Sequence, residues 1–347
     1  MSRINLLSFF LCTLSVSVRS FVLPCTKGLR TVIETPRIVA TSSRIQATEV
    51  DEDVQTELTD RGLLKRDRYV ATNRFAVRKG KAAQFEKRWA TRKSRLATLD
   101  GFQYFHLMRR VQLQDDGVTS TYDEGSGESQ FGNYVSFTIW RKKSHFSAWR
   151  KGDAFIEAHG GTSIGAFLST MVNSALILQG PPKPAFYDGL MLQSLTPPSM
   201  PEVVDGWRSV EADGQRTLPT ECFVACNQFW VPLENAKAFE TRWAARESKL
   251  KECDGFICFS LLRRDGQAKG HGTVPMTDAE PTYQSTTVWR DRQSFEAWRK
   301  GPAFGEAHGK PSNGNEGTST PPKPLWSRPP EPVFYEGTLV ISSPEGA

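Results

Sequence analysis

Histidine and cysteine are scarce in this 347-residue chain, at five and six residues. Cys12 and Cys25 fall in the first fifty residues; Cys222, Cys226, Cys253 and Cys258 fall in the second half. No Cys-x-x-Cys pair occurs, which argues against a zinc site or an iron–sulfur cluster. Cys222 and Cys226, four apart on an expected strand, stand about 13 Å apart, beyond disulfide reach. A Gly-x-Gly-x-x-Gly fingerprint is also missing, so nothing points to a bound dinucleotide. No run of eighteen apolar residues is present, so no membrane span is expected in the mature protein. Dense basic runs are absent as well. The formal charge of +6 belongs mostly to residues 1–50, where six Lys/Arg face two Asp/Glu. The remainder carries 38 basic and 36 acidic residues. A nucleic-acid binder shows a concentrated basic face, and this patterning argues against that role.

The N-terminus reads as an address. Residues 4–18 are mostly apolar, follow Arg3, and precede Val18, Ser20 and Phe21 in the pattern of a small-residue cleavage site. This is a signal peptide, placed at 1–20. Residues 21–60 open with a stretch rich in Ser, Thr and Arg and poor in acids, which is transit-peptide composition. The two together resemble a bipartite plastid presequence; secretion is the alternative. A fluorescent fusion carrying residues 1–48 is expected to reach the plastid, and its appearance in the medium would contradict this address.

The rest is a tandem repeat. Residues 70–110 align without a gap to 224–264, with 21 of 41 positions identical. Residues 134–160 align to 283–309, with 17 of 27 identical. A shorter echo, Phe186-Tyr187-Asp188-Gly189 against Phe334-Tyr335-Glu336-Gly337, closes each copy. This is domain duplication, not a short-period solenoid. The boundaries are 68–196 for the first copy, 197–219 for a Pro- and Gly-containing linker, and 220–343 for the second.

Periodicity gives each copy the same order of elements. In the first, strands are expected at 69–78, 102–113, 133–140 and 185–194. A helix is expected at 81–99, with Phe85, Trp89, Leu96 and Leu99 on one stripe. Another is expected at 144–151, ending at Gly152, and Asp153 is expected to cap a short helix ending at His159. The order strand–helix–strand–strand–helix–strand is ferredoxin-like. The expected fold is therefore α+β: two ferredoxin-like domains of the dimeric α/β-barrel type, forming an intramolecular pseudo-dimer.

Three positions of chemical interest recur in both copies: Asn73, Trp149 and His159, and Asn227, Trp298 and His308. Trp and His are ten apart each time. By contrast His106, His145 and His271 have no counterpart and are expected at the surface. Trp140 and Trp289, at strand ends, are expected to pack in the core, as are the stripes Phe85/Trp89 and Phe239/Trp243.

This pattern resembles the antibiotic-biosynthesis monooxygenase superfamily. Within it, the chain is similar to the haem-degrading monooxygenases of the iron-regulated surface determinant type. The resemblance rests on Asn73-Arg74-Phe75 opening the first strand, on Gly101-Phe102, and on the Trp and His spacing. It covers 68–194 and 222–343. It implies haem as both substrate and oxygen-activating cofactor, with His159 and His308 as axial ligands of the iron. Neutral imidazole suits that bond. It implies that Asn73 and Asn227 donate a hydrogen bond at the open face of the iron, and that Trp149 and Trp298 press the porphyrin out of plane. Ring opening would release iron and a linear tetrapyrrole. Electrons would come from an external donor, a reductase or a ferredoxin-type protein.

The copies differ in their loops. Residues 160–178 carry eight large apolar side chains suited to covering a porphyrin, whereas 309–330 are polar. Arg74, replaced by Gln228 in the second copy, is a candidate partner for a haem propionate. The first copy is therefore the expected working site. The alternatives are a haem carrier or sensor without turnover, and a monooxygenase of the same superfamily acting on a quinol or aromatic substrate without haem.

Overall fold

The structure, a computed structural model, describes residues 59–92, 94–114, 119–121, 132–159, 172–194, 208–246, 248–266, 280–308 and 324–343. Residues 1–58, on which the expected signal peptide and most of the expected transit-like segment fall, His271 and the apolar residues at 160–171 lie outside the described residues.

The first copy is built from β1 (Arg68–Phe75), α1 (Ala82–Ala90), β2 (Phe102–Leu113), a short β3 (Thr119–Thr121), β4 (Tyr134–Trp140), α2 (Lys143–Lys151), α3 (Asp153–Ala158) and β5 (Lys183–Ser194). The second runs β6 (Cys222–Phe229), α4 (Ala236–Ala244), β7 (Phe256–Arg264), β8 (Tyr283–Trp289), α5 (Arg292–Lys300), α6 (Pro302–His308) and β9 (Glu331–Ser342). The ferredoxin-like order thus holds in both. The strand order is β2-β4-β1-β5-β7-β8-β6-β9, with β9 returning to β2, so eight strands close into a barrel and β3 extends the β2 hairpin. Closure depends on two seams between the copies, β5 with β7 and β2 with β9, both antiparallel. These seams remove the open edges that each four-stranded sheet would otherwise present.

Period-two alternation sorts the side chains. Even positions of β1 and β6, such as Val70, Val224 and Cys226, point into the barrel and share one core with Met108, Phe137, Leu262 and Tyr335. Odd positions face the helices. Tyr69, Ala71 and Phe75 pack under Phe85, Trp89, Phe146 and Trp149; Phe223, Ala225 and Phe229 pack under Phe239, Trp243, Phe295 and Trp298. Trp140 and Trp289 are fully buried, as expected.

Three local expectations are corrected. Helix α1 stops at Ala90 rather than running to residue 99: the Thr91 hydroxyl folds back onto the Lys87 carbonyl and the Arg92 amide closes a tighter turn on the Trp89 carbonyl; a separate 3-10 turn at Leu96–Thr98 then delivers Leu96 to the core. Asp153 is the first residue of α3 and not its cap; Gly152 occupies that position without a side-chain bond. His106 is not at the surface. It points into the barrel with no exposed area, between Tyr104 and Phe137, and its Nδ1 lies 3.8 Å from the Cys222 thiol. His145 is half-buried over Gly101 and 3.5 Å from Asp100.

The closing echo of each copy has a structural purpose at the seam. Asp188 and Glu336 are carboxylates that cross to the other copy's arginine partners, described below, and Gly189 and Gly337 allow strands to approach closely. A Cβ on Gly337 would sit 2.3 Å from the Cys222 sulfur. Two residues further, Met191 and Leu339 adopt left-handed φ of 52° and 53°, where the seam pairings slip register. Bulges of this kind bend strands sharply, and their repetition in both copies closes the barrel symmetrically.

Buried charge locks the seams. On α1, Glu86 is fully buried and accepts from Arg109 Nε at 2.9 Å and Tyr134 Oη at 2.6 Å, while Arg109 Nη1 reaches Glu336 of the other copy at 2.7 Å. The second copy repeats this with Glu240, Arg263, Tyr283 and Asp188 at 2.7–3.0 Å. The flanking segments join in: the Leu218 amide donates to Glu86 and the Leu64 amide to Glu240. The linker is thereby bound to the first copy, where Val210, Ala212 and Leu218 add to the core.

Removing one arginine from such a set strands a buried carboxylate, at a cost of roughly 3–5 kcal/mol. Arg109→Leu and Arg263→Leu are therefore each expected to lower the urea midpoint of the whole chain in one cooperative transition. Two separate transitions would show that the copies do not fold as a unit.

Candidate functional site

The residues singled out by repetition lie in the helix-facing layer of each copy. Asn73 is on β1 between Ala71 and Phe75, on the same face. Its neighbours on that face are buried, yet Asn73 itself is exposed. The helices therefore leave an opening over this position. No hydrogen bond engages its amide among the described residues, so the amide is available to a ligand.

Trp149 borders the same layer from α2. Its ring stacks on Trp140 at 5.4 Å and meets Phe155 edge-on at 5.1 Å. The second copy reproduces the arrangement: Trp298 lies 5.3 Å from Trp289 and 4.9 Å from Phe304. Each tryptophan remains partly exposed, with one face seated on the core and the rest presented outward. Gly152 lets the chain turn directly from α2 into α3, which brings residue 159 back to within 6.5 Å of the Trp149 ring.

His159 caps α3 at its C-terminal end. The imidazole stacks on Phe155 at 4.0 Å, and its Nδ1 lies 2.7 Å from the Phe155 carbonyl oxygen. A carbonyl only accepts, so Nδ1 carries the proton and donates it. The Nε2 lone pair is left for a metal, the usual way in which a second hydrogen bond sets the tautomer of a histidine ligand. The ring's edge is exposed to solvent, but its crowded surroundings and the charges of Arg92 and Arg88 hold the imidazolium down, to about 4 against an ordinary 6.5. At neutral pH the ring is uncharged and competent to coordinate.

Arg88 and Arg92 escaped the sequence reading. They are four apart on and just beyond α1, with Arg92 over the Trp89 ring at 4.4 Å and Arg88 donating to Ser174 at 2.8 Å. The second copy holds Arg242 and Arg246 at the same positions, Arg246 again over a tryptophan, Trp243, at 5.0 Å. The repeated Arg-Trp-Ala-x-Arg signature was the available signal.

Arg74 is elsewhere. As an even-numbered residue of β1 it points into the barrel, where it is buried and bonded to Glu280 at 2.7 Å; Arg264 holds the same carboxylate at 3.2 Å. The expected role beside a propionate is corrected on this ground, since the strand's alternation puts Arg74 on the face opposite Asn73.

In the second copy Asn227 is half-buried and, among the described residues, bonded to nothing through its side chain. The backbone of His308 ends α6, and its side chain lies outside the described residues. The floor of this layer is bulkier. Gln179 and Ser327 make the same backbone contact, to Ala76 and Trp230. So Trp326, 6.2 Å from Phe229, stands where the first copy has Leu178, and Trp230 where it has Ala76. A cleft of about 410 Å³ opens beside Trp298, walled by Cys253, Asp254, Arg290, Ser294 and Pro302. It exists because Ser294 replaces His145, whose ring fills that space over Gly101 in the first copy. Asn227 does not line it.

Three of the four described thiols are unreactive. Burial pushes Cys222, Cys226 and Cys258 up to about 12, so they stay protonated. Among the described residues no group of three or more His, Cys, Asp or Glu side chains is arranged to hold a metal ion. No helix among them is long and apolar enough to cross a membrane.

Comparison with known proteins gives the class first. The family model described as "Antibiotic biosynthesis monooxygenase" matches residues 68–161 and 222–310, more than half of the chain, and the chain belongs to this family. A curated relative, "Heme oxygenase (staphylobilin-producing)" of Staphylococcus saprophyticus, is 36% identical over 95 residues, which is 27% of this chain and 76% of that protein. Among solved structures, one from Fusobacterium nucleatum described as a monooxygenase is 12% identical and covers 80% of this chain and 95% of its own, with a TM-score of 0.45. An anthrone oxidase-like protein is 13% identical, with 82% and 96% covered and a TM-score of 0.39.

The two buried or crowded imidazoles make acid sensitivity a test of this geometry. Burial holds His106 down to about 3 and His159 sits at about 4. Between these values and 6.5 the unfolded chain binds more protons than the folded one, so stability falls as pH drops through that window. Proton NMR of the His159 ring should give a midpoint near 4, and His106→Asn should flatten the acid limb of stability between pH 6.5 and 3. A His159 midpoint near 6.5 would contradict the crowded, cationic surroundings described above.

Proposed function

We propose that the first copy is a haem-degrading monooxygenase site, opening the porphyrin and releasing iron. The observation that carries this reading is the bond from His159 Nδ1–H to the Phe155 carbonyl, which keeps a neutral imidazole with Nε2 available beside an ordered tryptophan, in the layer that also holds the unengaged Asn73. These residues suit haem: one nitrogen donor for the iron, aromatic surface for the macrocycle, and two arginines for its carboxylates. The relative from Staphylococcus saprophyticus, named as a haem oxygenase, supports the same reading.

The chain's own groups divide the work. His159 would hold the iron through Nε2, and its bond to Phe155 fixes the plane of the imidazole. Asn73 would offer its amide N–H to a polar group of the bound ligand. Trp149, backed by Trp140 and Phe155, would supply a firm aromatic surface for the macrocycle. Arg88 and Arg92 take the role first expected of Arg74, pairing with the propionates. Haem, when bound, supplies the iron at which dioxygen is activated and is itself the material oxidised. An external donor supplies the electrons.

The second copy keeps Asn227, Trp298 and His308, with a floor narrowed by Trp326 and Trp230. It is assigned as the weaker site.

Titration of haem into single variants, followed by ascorbate under air, tests the assignment. His159→Ala should weaken binding at least tenfold and remove the histidine signature from the Soret band, with His308→Ala having the smaller effect. Asn73→Ala should bind haem but slow its loss by about 100- to 1000-fold, the range for a single preorganised donor, and Trp149→Ala should likewise bind haem and slow its loss. A Soret band that persists with ascorbate in the parent protein would make this a carrier. If both histidine variants bind haem like the parent, the site is wrong.

A further inference from the structure

The helix-bearing layers of the two copies have the same fold and different charge. Residues 78–100 and 141–159 carry thirteen Lys/Arg and four Asp/Glu, whereas the corresponding 232–254 and 290–308 carry nine and eight. In the second copy the cations are neutralised in place: Arg290 by Asp254 and Asp291, and Arg292, Arg299 and Lys300 by Glu296. The first copy keeps Asp100 at the position of Asp254 and pairs Arg95 with Glu157 and Lys143 with Asp265, but it lacks the other two carboxylates. Lys142 stands at the position of Asp291, and Ser147 at that of Glu296. Lys79, Lys142 and Lys151 are exposed and, among the described residues, pair with no carboxylate. The sequence shows no basic run because these residues are spread over 80 positions; the fold gathers them onto one layer, the layer that holds His159.

We propose that this basic layer is the docking surface for a compact acidic electron-transfer protein serving the first copy's site. The inference rests on the function proposed above, which consumes electrons that nothing among the described residues can store. Each encounter would oxidise the donor by one electron and reduce the bound haem iron by one. The need for electrons selects a redox protein, and the net +9 of these two segments selects an acidic one. Such complementarity acts through steering and is screened within about 8 Å at physiological salt.

The probe is an acidic plant-type [2Fe–2S] ferredoxin, titrated against the haem-free chain by biolayer interferometry. Binding is expected at low salt and should weaken as salt rises. The triple variant Lys79→Glu/Lys142→Glu/Lys151→Glu should bind about tenfold or more weakly. The triple variant Lys237→Glu/Lys251→Glu/Lys300→Glu, on the second copy, should bind within about twofold of the parent. Circular dichroism establishes that both remain folded. Equal binding by the first triple variant and the parent overturns the proposal, as does equal loss in both variants, or tighter binding of duplex DNA or phosphatidylserine vesicles than of ferredoxin. Haem loss driven by ascorbate separates the two readings. If ascorbate degrades haem but ferredoxin does not bind, only the docking surface fails. If ferredoxin binds as described but neither reductant consumes haem, the proposed function fails and the surface stands.

Discussion

Everything in this molecule depends on two buried carboxylates, Glu86 and Glu240, each placed by a helix against an arginine that reaches across to the other copy. Each has no exposed area, so each is tolerable only while every partner is present. Glu86 needs Arg109, Tyr134 and the Leu218 amide; Arg109 in turn needs Glu336. One set therefore ties together a helix, two strands, the linker and the far copy. Because its counterpart at Glu240 runs in the opposite sense, neither copy can satisfy its own helix without the other. Apolar pressure alone would permit many ways of placing two sheets back to back. The ionic sets, with the bulges at Met191 and Leu339, leave one.

Fusing the copies in one chain removes a constraint that an ordinary homodimer obeys. In a homodimer each substitution appears twice, and any residue near the dyad meets its own image. Here the equivalent positions have diverged. His106 in the barrel corresponds to Ser260, and Arg68 to Cys222, so a bulky imidazole on one side is matched by a thiol opposite. Arg74 has kept its charge because Glu280 and Arg264 make a buried set with it, while its counterpart Gln228 is uncharged. The same freedom lets one site lose bulk at Leu178 and gain positive charge, and lets the other fill with Trp326. Duplication thus preserves the scaffold through its seams while the two outer layers drift apart.

Much of this was legible in the chain. The 150-residue repeat and the alternation of each strand were sufficient for the ferredoxin-like order and for the pseudo-dimer. The recurrent Asn, Trp and His marked one layer because a strand residue, a helix residue and a cap residue all faced the same side. What escaped notice did so for definite reasons. Arg74 adjoins Asn73 in sequence, but neighbours on a strand face opposite ways. His106, lacking a counterpart, suggested a tolerant surface; its uniqueness instead reflects an asymmetric barrel interior. Arg88 and Arg92 were hidden within a helix pattern read only for its apolar stripe. The closing Phe-Tyr-acid-Gly echo showed its meaning only when Asp188 and Glu336 were seen beside arginines about 75 and 230 residues away.

The seams also bear on how the outer layer can work. Trp149 is backed by Trp140, and Trp140 belongs to β4, which pairs with both β1 and β2. β2 is the strand that carries Arg109 and closes the barrel against β9. The platform under the candidate site is thus part of the most constrained region of the fold, and cannot give way when a ligand presses on it. The residue proposed as ligand is different. His159 stands at the end of a six-residue helix, held by one carbonyl bond and one aromatic stack. A rigid floor with a lightly tethered histidine suits the function proposed above, which would require the site to admit a large planar molecule and release a product of another shape. That division of stiffness, firm beneath the tryptophan and adjustable at the histidine, is the mechanical property which the ionic seams confer on the chemistry.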